Sequence, residues 1–294
     1  MERLKVEGLK KQISNKIIID DINIKLYSGE ILGIIGPNGA GKTTLLKAIS
    51  GLININQGVI DFDGLSFKNN REKILSNMGV VIEKPCFYEH LTARKNIEIF
   101  SKMKSDMISE KRINYLFDYF KLKNYQKRKF ANYSLGMKQR LALIEILLSN
   151  PEILILDEPT NGLDPRGVVE FREKLSSLSK NEGKSIIISS HNLEEVKKIC
   201  DNYLFMKNGK LVFSKKIKAS DYILKVSKGN IEEIKKTLNR NNIEYIYSSL
   251  YKNDVFTLNL KKEELLKVVG KEKMKDSYIS EIGEDLELLY LSIT

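Results

Sequence analysis

Short runs of consecutive apolar residues mark the first two thirds of the chain and predict buried β-strands. Three of these runs, at 30–36, 153–157 and 185–189, are apolar over almost their whole length. Strands that are covered on both faces have this composition, and helical segments alternate with them along the chain. The pattern therefore predicts an α/β fold in which a parallel sheet lies between layers of helices.

Helical periodicity appears between and after these runs. One helix is predicted over 109–121 because four apolar residues recur at the spacing of a helix face: Ile113, Leu116, Phe117 and Phe120. This helix belongs to a mostly helical insert, which we expect at about 92–149. A second helix is predicted over 167–179, and a hairpin-like stretch around 59–64.

Asn208-Gly209 lies between two apolar triplets and predicts a β-hairpin, because a type I′ turn needs a positive φ at both central residues. We expect the first domain to span 1–214 and a lysine-rich linker to cover 215–220. A small α+β domain should follow over 221–294. Its predicted order is strand 222–227, helix 230–240, strands 243–248 and 254–260, helix 262–269, strand 277–282 and a terminal helix, as in a split βαβ, ferredoxin-like unit.

Composition excludes several classes of protein. No apolar run approaches the ~18 residues needed to cross a bilayer, and no signal peptide follows Met1, so we expect a cytoplasmic protein. The formal net charge is +11, but the lysines are interleaved with acids and form no arginine-rich or aromatic-interleaved stripe. Nucleic-acid binding is therefore not expected. The two cysteines fit neither a metal knuckle nor a disulfide framework.

A phosphate-binding loop connects the first buried strand to the helix that follows it. The pattern G-x-x-x-x-G-K-[ST] is fulfilled by Gly36, Pro37, Asn38, Gly39, Ala40, Gly41, Lys42 and Thr43. Its glycines allow successive N–H groups to point at phosphates, and the helix N-terminus adds positive charge. We expect Lys42 to bridge phosphate oxygens, Thr43 to ligate Mg²⁺ and Thr44 to lie near the α-phosphate. The loop alone leaves kinases, GTPases and helicases open.

Two carboxylates follow the second buried strand. Asp157 and Glu158 end the run that begins at Ile153, so their side chains should emerge at the carboxyl edge of the sheet. We expect Asp157 to hold Mg²⁺, directly or through water. Glu158 is placed to polarise the attacking water, a general-base role that contributes ~10²–10⁴ in rate.

The stretch from Leu156 to Pro165, with the sequence LDEPTNGLDP, closely resembles the Walker B and D-loop motifs of ABC ATPases. The resemblance covers roughly 4–214, and the motifs follow the family's order. Ser134 and Gly136 match the family signature, whereas Leu135 and Met137 depart from it. The resemblance implies a P-loop ABC ATPase cassette with a mixed sheet and a helical insert, which binds and hydrolyses ATP with Mg²⁺.

Further positions take their expected roles from this resemblance. His191 matches the switch histidine, which contacts the γ-phosphate and orients the water, so Lys42, Glu158 and His191 form the expected catalytic set. Glu83 replaces the usual glutamine near the metal, as in the bacitracin and lantibiotic self-protection exporters, and joins Thr43 and Asp157 as an expected metal ligand. Ile13 stands where many members stack an aromatic ring on adenine, so base stacking is expected to be weaker or to come from Tyr27 or another ring.

The resemblance also implies partners. Two cassettes pair head to tail, as a homodimer or as a heterodimer with a second cassette, so that each ATP lies between the loop of one chain and the signature of the other. Integral membrane subunits form the transport path, and Phe87 and Tyr88 are candidate anchors for them at the inner face of the cell membrane. The transported substrate could be a peptide antibiotic or another amphiphile. A soluble ABC-type ATPase that acts on ribosomes or nucleic acid remains the alternative, although there is one set of motifs and no long heptad run.

Overall fold

The computed structural model describes residues 1–83, 86–104, 107–215, 222–225, 231–241, 243, 245–248, 254–257, 267–268 and 278–281. The chain divides into two compact units, Met1–Leu211 and Val212–Thr294. The strands of the first sheets are β1 (Glu2–Ile13), β2 (Lys16–Tyr27), β3 (Ile31–Ile35), β4 (Gln57–Phe62), β5 (Leu65–Ser66), β6 (Met78–Val81), β7 (Ile153–Leu156), β8 (Ser185–Ser190), β9 (Asn202–Lys207) and β10 (Lys210–Lys215). The helices among them are α1 (Lys42–Ile49), α2 (Arg71–Ser76), α3 (Ala93–Lys102), α4 (Glu110–Tyr119), α5 (Leu135–Ile146), α6 (Pro165–Lys180) and α7 (Leu193–Ile199).

The central sheet has the strand order β10-β9-β3-β8-β7-β6. Strands β3, β6, β7, β8 and β9 pair in parallel, as the apolar runs predict. Every residue of β3, β7 and β8 is buried, which agrees with a sheet that is covered on both faces. The carboxyl ends of β3, β7 and β8 therefore lie side by side, and the loops that follow them meet at one edge of the sheet.

An antiparallel sheet with the order β2-β1-β4-β5 packs into the same core. Its apolar residues, which include Leu4, Val6, Ile22 and Ile24, join residues of α1 and the central sheet. The long hairpin of β1 and β2 has no counterpart among the predicted elements, whereas β4 and β5 coincide with the predicted hairpin-like stretch. The two sheets make the fold mixed, as expected.

The predicted insert is helical and contains α3, α4 and α5, with short 3₁₀ turns at Lys123–Tyr125 and Phe130–Asn132. Each helix begins at a hydroxyl residue that accepts a hydrogen bond from a backbone N–H three residues further on: Thr92, Ser109 and Ser134. Phe117 and Phe120, which the helical spacing assigned to the inner face, are fully buried. Among the described residues, no helix combines the length and the apolar content that a bilayer crossing requires.

The hairpin between β9 and β10 has the predicted turn, because Asn208 and Gly209 have φ values of 49° and 78°. The second unit contains β11 (Tyr222–Lys225), α8 (Ile231–Arg240), β12 (Tyr245–Ser248), β13 (Asp254–Thr257) and β14 (Tyr278–Glu281). Its sheet has the order β12-β13-β11-β14, and neighbouring strands are antiparallel. The predicted linker after 215 and the terminal helix lie outside the described residues, as does most of the predicted helix at 262–269.

Candidate nucleotide site

The phosphate-binding loop occupies the turn between β3 and α1. Gly39 and Gly41 have φ values of 82° and 103°, in the left-handed region that favours glycine. At Gly36 a Cβ atom would lie 2.2 Å from the backbone oxygen of Met206, so a side chain has no room there. The loop is therefore held in a curled conformation by its own glycines, and α1 begins directly at Lys42.

Lys42 lies under this loop and is almost completely buried. Its Nζ donates hydrogen bonds to the backbone oxygens of Gly36, at 2.7 Å, and of Pro37, at 3.3 Å. The same Nζ lies 3.4 Å from Oε1 of Glu158. The ammonium group therefore joins the loop to the carboxylate at the end of β7, and two of the predicted catalytic residues are in contact.

Thr43 and Asp157 form the predicted metal pair. The Thr43 hydroxyl donates to Oδ2 of Asp157 at 2.8 Å. Mg²⁺ binds hard oxygen ligands and is usually held by one or two protein groups together with waters and substrate phosphates. A hydroxyl and a carboxylate beside a phosphate-binding loop fit that requirement, and the described residues contain no cluster of three or more metal-ligating His, Cys, Asp or Glu side chains.

Glu158 and His191 come together at the mouth of the loop. Nδ1 of His191 and Oε2 of Glu158 are 2.7 Å apart. An ionised carboxylate only accepts hydrogen bonds, so in this contact Nδ1 of His191 donates to Glu158. Glu158 has a φ of 46°, which is uncommon for a residue with a side chain, and its N–H donates to the Ser189 hydroxyl at 2.9 Å.

A cavity of about 300 Å³ opens over these groups. Its wall consists of residues 38–44 together with Ile18, Glu158, Asn161 and His191. The predicted loop residues therefore face one space, except Gly36 and Pro37, which lie beneath it and bind Lys42. Ile18 and Asn161 are not among the predicted site residues, because neither stands in a position of the phosphate-loop or strand-end patterns.

The alternative adenine contact by Tyr27 is wrong. The Tyr27 backbone oxygen accepts a hydrogen bond from Ser185, at the amino end of β8, whereas the phosphate-binding loop lies at the carboxyl end of β3. Tyr27 therefore lies at the opposite end of the sheet. Ile13 is half exposed at the end of β1, and it is Ile18 that lines the cavity.

The signature residues lie on a different cavity of the same chain. Ser134 and Gly136 line a space of about 470 Å³ with Leu163 and Asp164 of the D-loop segment. The Ser134 hydroxyl accepts a hydrogen bond from the Met137 N–H at 3.3 Å and so begins α5. Burial raises the pKa of the neighbouring Tyr133 to about 12, and its hydroxyl donates to the Tyr125 backbone oxygen at 3.0 Å. The two halves of the expected ATP site are thus separate within one chain.

Glu83 pairs with a lysine of the first helix. Its Oε1 lies 2.5 Å from Nζ of Lys47, and its own φ is 65°. Glu83 also lines a cavity of about 720 Å³ together with Asp157 and Glu158. Glu83 thus lines the same cavity as Asp157, but its carboxylate is paired with Lys47. That Glu83 binds the metal therefore stays a prediction.

The two candidate anchors differ in their surroundings. Phe87 packs against the rings of Phe100 and Phe130, with centroid distances of 5.4 and 4.9 Å. Tyr88 has 51% of its surface exposed, and its backbone N–H donates to Asn96 at 2.8 Å. Phe87 therefore belongs to the packing of the insert, and Tyr88 is the ring that a partner could reach.

Comparison with known proteins gives one consistent family. Residues 19–161 match the family model described as ABC transporter. The uncharacterized ABC transporter ATP-binding protein YhcH of Bacillus subtilis is 34% identical over 99% of this chain and 95% of its own length. The lantibiotic transport ATP-binding protein SrtF of Streptococcus pyogenes is 38% identical, and the match covers 79% of this chain and 95% of SrtF. The bacitracin transport ATP-binding protein BcrA of Bacillus licheniformis is 40% identical, and the match covers 71% of this chain and 68% of BcrA.

Solved structures agree with the fold. The structure of cbiO1 from Clostridium perfringens, part of the ABC transporter complex cbiONQ, has a TM-score of 0.67 and 29% identity, and the match covers 74% of this chain and 89% of that one. A dimeric ATP-binding cassette in a post-hydrolysis state, bound to ADP and Pi, has a TM-score of 0.65 and 24% identity, with coverage of 73% and 99%. At that identity the second likeness concerns the fold alone.

Proposed function

This chain belongs to the ATP-binding subunits of ABC transporters and is an ATPase, and we propose that it powers an exporter whose membrane-spanning subunits are separate chains. The observation that carries the proposal is the convergence of Lys42, Glu158 and His191 on one cavity above the phosphate-binding loop. A buried cation at the N-terminus of a helix can bind phosphates, and a carboxylate held by a histidine can position and deprotonate an attacking water.

We assign each residue one role. The loop amides and Lys42 bind the β- and γ-phosphates, and Thr43 with Asp157 holds Mg²⁺, which neutralises charge on the phosphates when it is bound. Glu158 accepts the proton of the attacking water, and His191, which lines the same cavity, holds Glu158 through Nδ1. General-base catalysis of this kind accounts for ~10²–10⁴ in rate.

In the proposed function, ATP hydrolysis requires two cassettes. Because the signature residues and the phosphate-binding loop line different cavities, Ser134 and Gly136 of one chain complete the site of another. The partner is a second copy or a different cassette. ATP joins the two chains through contacts that exist only while the γ-phosphate is present, so hydrolysis loosens the pair.

The membrane partner and the substrate follow from the surface and the relatives. Tyr88 offers an exposed ring and precedes Glu89, which lines the cavity of Glu83. We assign Tyr88 to contact with a cytoplasmic segment of the membrane subunit, at the inner face of the cell membrane. SrtF and BcrA are named for lantibiotic and bacitracin transport. We propose a peptide antibiotic or a similar amphiphile as the exported substrate. None of the relatives reported above has a name that points to ribosomes or nucleic acid.

Replacing Glu158 by glutamine tests the assignment of the base. The expected result is a loss of turnover of at least about 10²-fold, with ATP binding retained, because the amide cannot accept the proton but keeps the shape of the side chain. Turnover is measured by phosphate release, and binding by equilibrium titration. Glu72→Gln, at an exposed glutamate of α2, is the matched control. Unaltered turnover in Glu158→Gln would remove Glu158 from its role.

A further inference from the structure

The hydroxyl of Ser189 contacts both acidic residues at the end of β7. Ser189 lies near the carboxyl end of β8 and is fully buried. Its hydroxyl donates to Oδ1 of Asp157 and accepts a hydrogen bond from the Glu158 N–H at 2.9 Å. One buried side chain therefore holds a side-chain oxygen of the first acid and the backbone of the second.

Strand register places Ser189 there. β7 and β8 are parallel neighbours, with Leu156 opposite Ile188. The next residues, Asp157 and Ser189, are therefore neighbours at the end of β7. The other oxygen of the Asp157 carboxylate, Oδ2, accepts from Thr43 at 2.8 Å. Both oxygens of Asp157 thus have a hydroxyl donor, one from the phosphate-binding loop and one from β8. The plane of the carboxylate is fixed by two different elements.

The backbone of Glu158 needs the same support. Its φ of 46° lies in a region that residues with side chains seldom adopt unless their surroundings hold them there. The hydrogen bond from its N–H to the Ser189 hydroxyl helps to hold the backbone of Glu158 in this conformation. From this backbone the Glu158 side chain reaches both Lys42 and His191.

We propose that Ser189 is a positioning residue for ATP hydrolysis, which orients the Asp157 carboxylate toward Mg²⁺ and sets the direction in which Glu158 leaves the strand. This rests on the proposed roles of Asp157 and Glu158. Partners that orient a metal ligand affect metal affinity or activity by about 10–100-fold when they are removed. Loss of the Ser189 hydroxyl leaves one oxygen of the part-buried Asp157 carboxylate without its donor and therefore weakens Mg²⁺ binding in particular.

The test compares Ser189→Ala with Ser185→Ala. Ser185 begins the same strand, is also fully buried and donates one hydrogen bond, to Tyr27 at 3.0 Å, but it lies at the opposite end of the sheet. Mg²⁺ is titrated at constant ATP, and bound nucleotide is measured in the Glu158→Gln background, where turnover does not interfere. We expect Ser189→Ala to raise the half-saturating Mg²⁺ concentration about tenfold, and Ser185→Ala to leave it unchanged.

The half-saturating Mg²⁺ concentration distinguishes a loss of positioning from a loss of folded protein. A smaller folded fraction lowers the amount of nucleotide bound but does not move the Mg²⁺ midpoint. Ser189→Cys keeps the volume with a weak donor and should resemble Ser189→Ala, which covers the case in which the alanine variant does not fold. An unchanged Mg²⁺ midpoint in the variant that folds would overturn the proposal. If Glu158→Gln hydrolyses ATP normally, the proposed role of Glu158 fails, whatever the result at Ser189.

Discussion

At the residue scale, Glu158 is fixed at three of its groups. Its N–H binds Ser189, Oε1 lies 3.4 Å from Lys42, and Oε2 lies 2.7 Å from His191. The carboxylate is therefore aligned by the protein itself, so little reorganisation is left for the step in which charge develops. The histidine is the most exposed of these contacts and the easiest to remove without disturbing the core.

His191→Ala should lower turnover about 10²-fold and change ATP affinity only slightly, because the histidine orients the base and the Lys42 contacts to the phosphates remain. Steady-state kinetics and nucleotide titration measure the two effects. His90→Ala is the control, since His90 is exposed and contacts the ring of Tyr88, not the nucleotide site. Equal losses in turnover and in ATP affinity would contradict the assigned role.

Sequence patterns predict the residues of this site that are close together in the chain. Lys42 and Thr43 stand in one loop, and Asp157 and Glu158 end one strand. The Ser189–Asp157 and Glu83–Lys47 contacts join residues 32 and 36 positions apart, so no local spacing indicates them. In the sequence pattern, Ser189 is only the last residue of an apolar strand. Its contacts with Asp157 and Glu158 become visible once the pairing of β7 and β8 is known.

At the scale of elements, the buried strands were the most predictable, because continuous apolar runs identify β3, β7 and β8. The hairpin of β1 and β2 was not predictable in the same way. Its pairing has register shifts, one of them between Val6 and Leu9, so the period of two breaks down, and charged residues separate the apolar positions. The antiparallel pairing with β4 depends on distant residues that the local pattern does not contain.

The start of α5 has a structural role as a helix cap and a proposed role in the shared ATP site, and a comparison of two serines separates them. Ser134 and Ser109 cap α5 and α4 through similar hydrogen bonds, 3.3 and 3.2 Å long. Replacing either by alanine should cost about 1 kcal/mol of stability, measured by denaturant unfolding. Only Ser134→Ala should also weaken ATP-dependent dimerisation and turnover, because only Ser134 belongs to the proposed shared site. Equal activity in the two variants would contradict that assignment.

At the scale of the whole molecule, the separation of the two cavities is the basis of the proposal that one chain acts with partners. The nucleotide loop and the signature face different spaces, and the exposed Tyr88 lies outside both. The proposed dimerisation and membrane docking would therefore use different surfaces, and we expect a variant to affect one and spare the other.

Tyr88→Ala should abolish most of the stimulation of ATPase activity by the membrane subunit and leave the basal rate unchanged. An exposed aromatic ring is a typical anchor in a protein interface, and its loss there costs about 2 kcal/mol or more. Tyr27→Ala is the control, because Tyr27 has a similar exposed fraction, 45% against 51%, at the opposite end of the sheet. Full stimulation of Tyr88→Ala in reconstituted vesicles would place the docking surface elsewhere.

The most direct measurement is to purify tagged Glu158→Gln protein with ATP from gently solubilised cells of its own source and to identify its companions. The variant should hold ATP in the closed pair because the base is missing, so its partners remain attached. We expect a polytopic membrane protein in stoichiometric amount. Ribosomes, nucleic acid or no companion at all would contradict the transporter assignment.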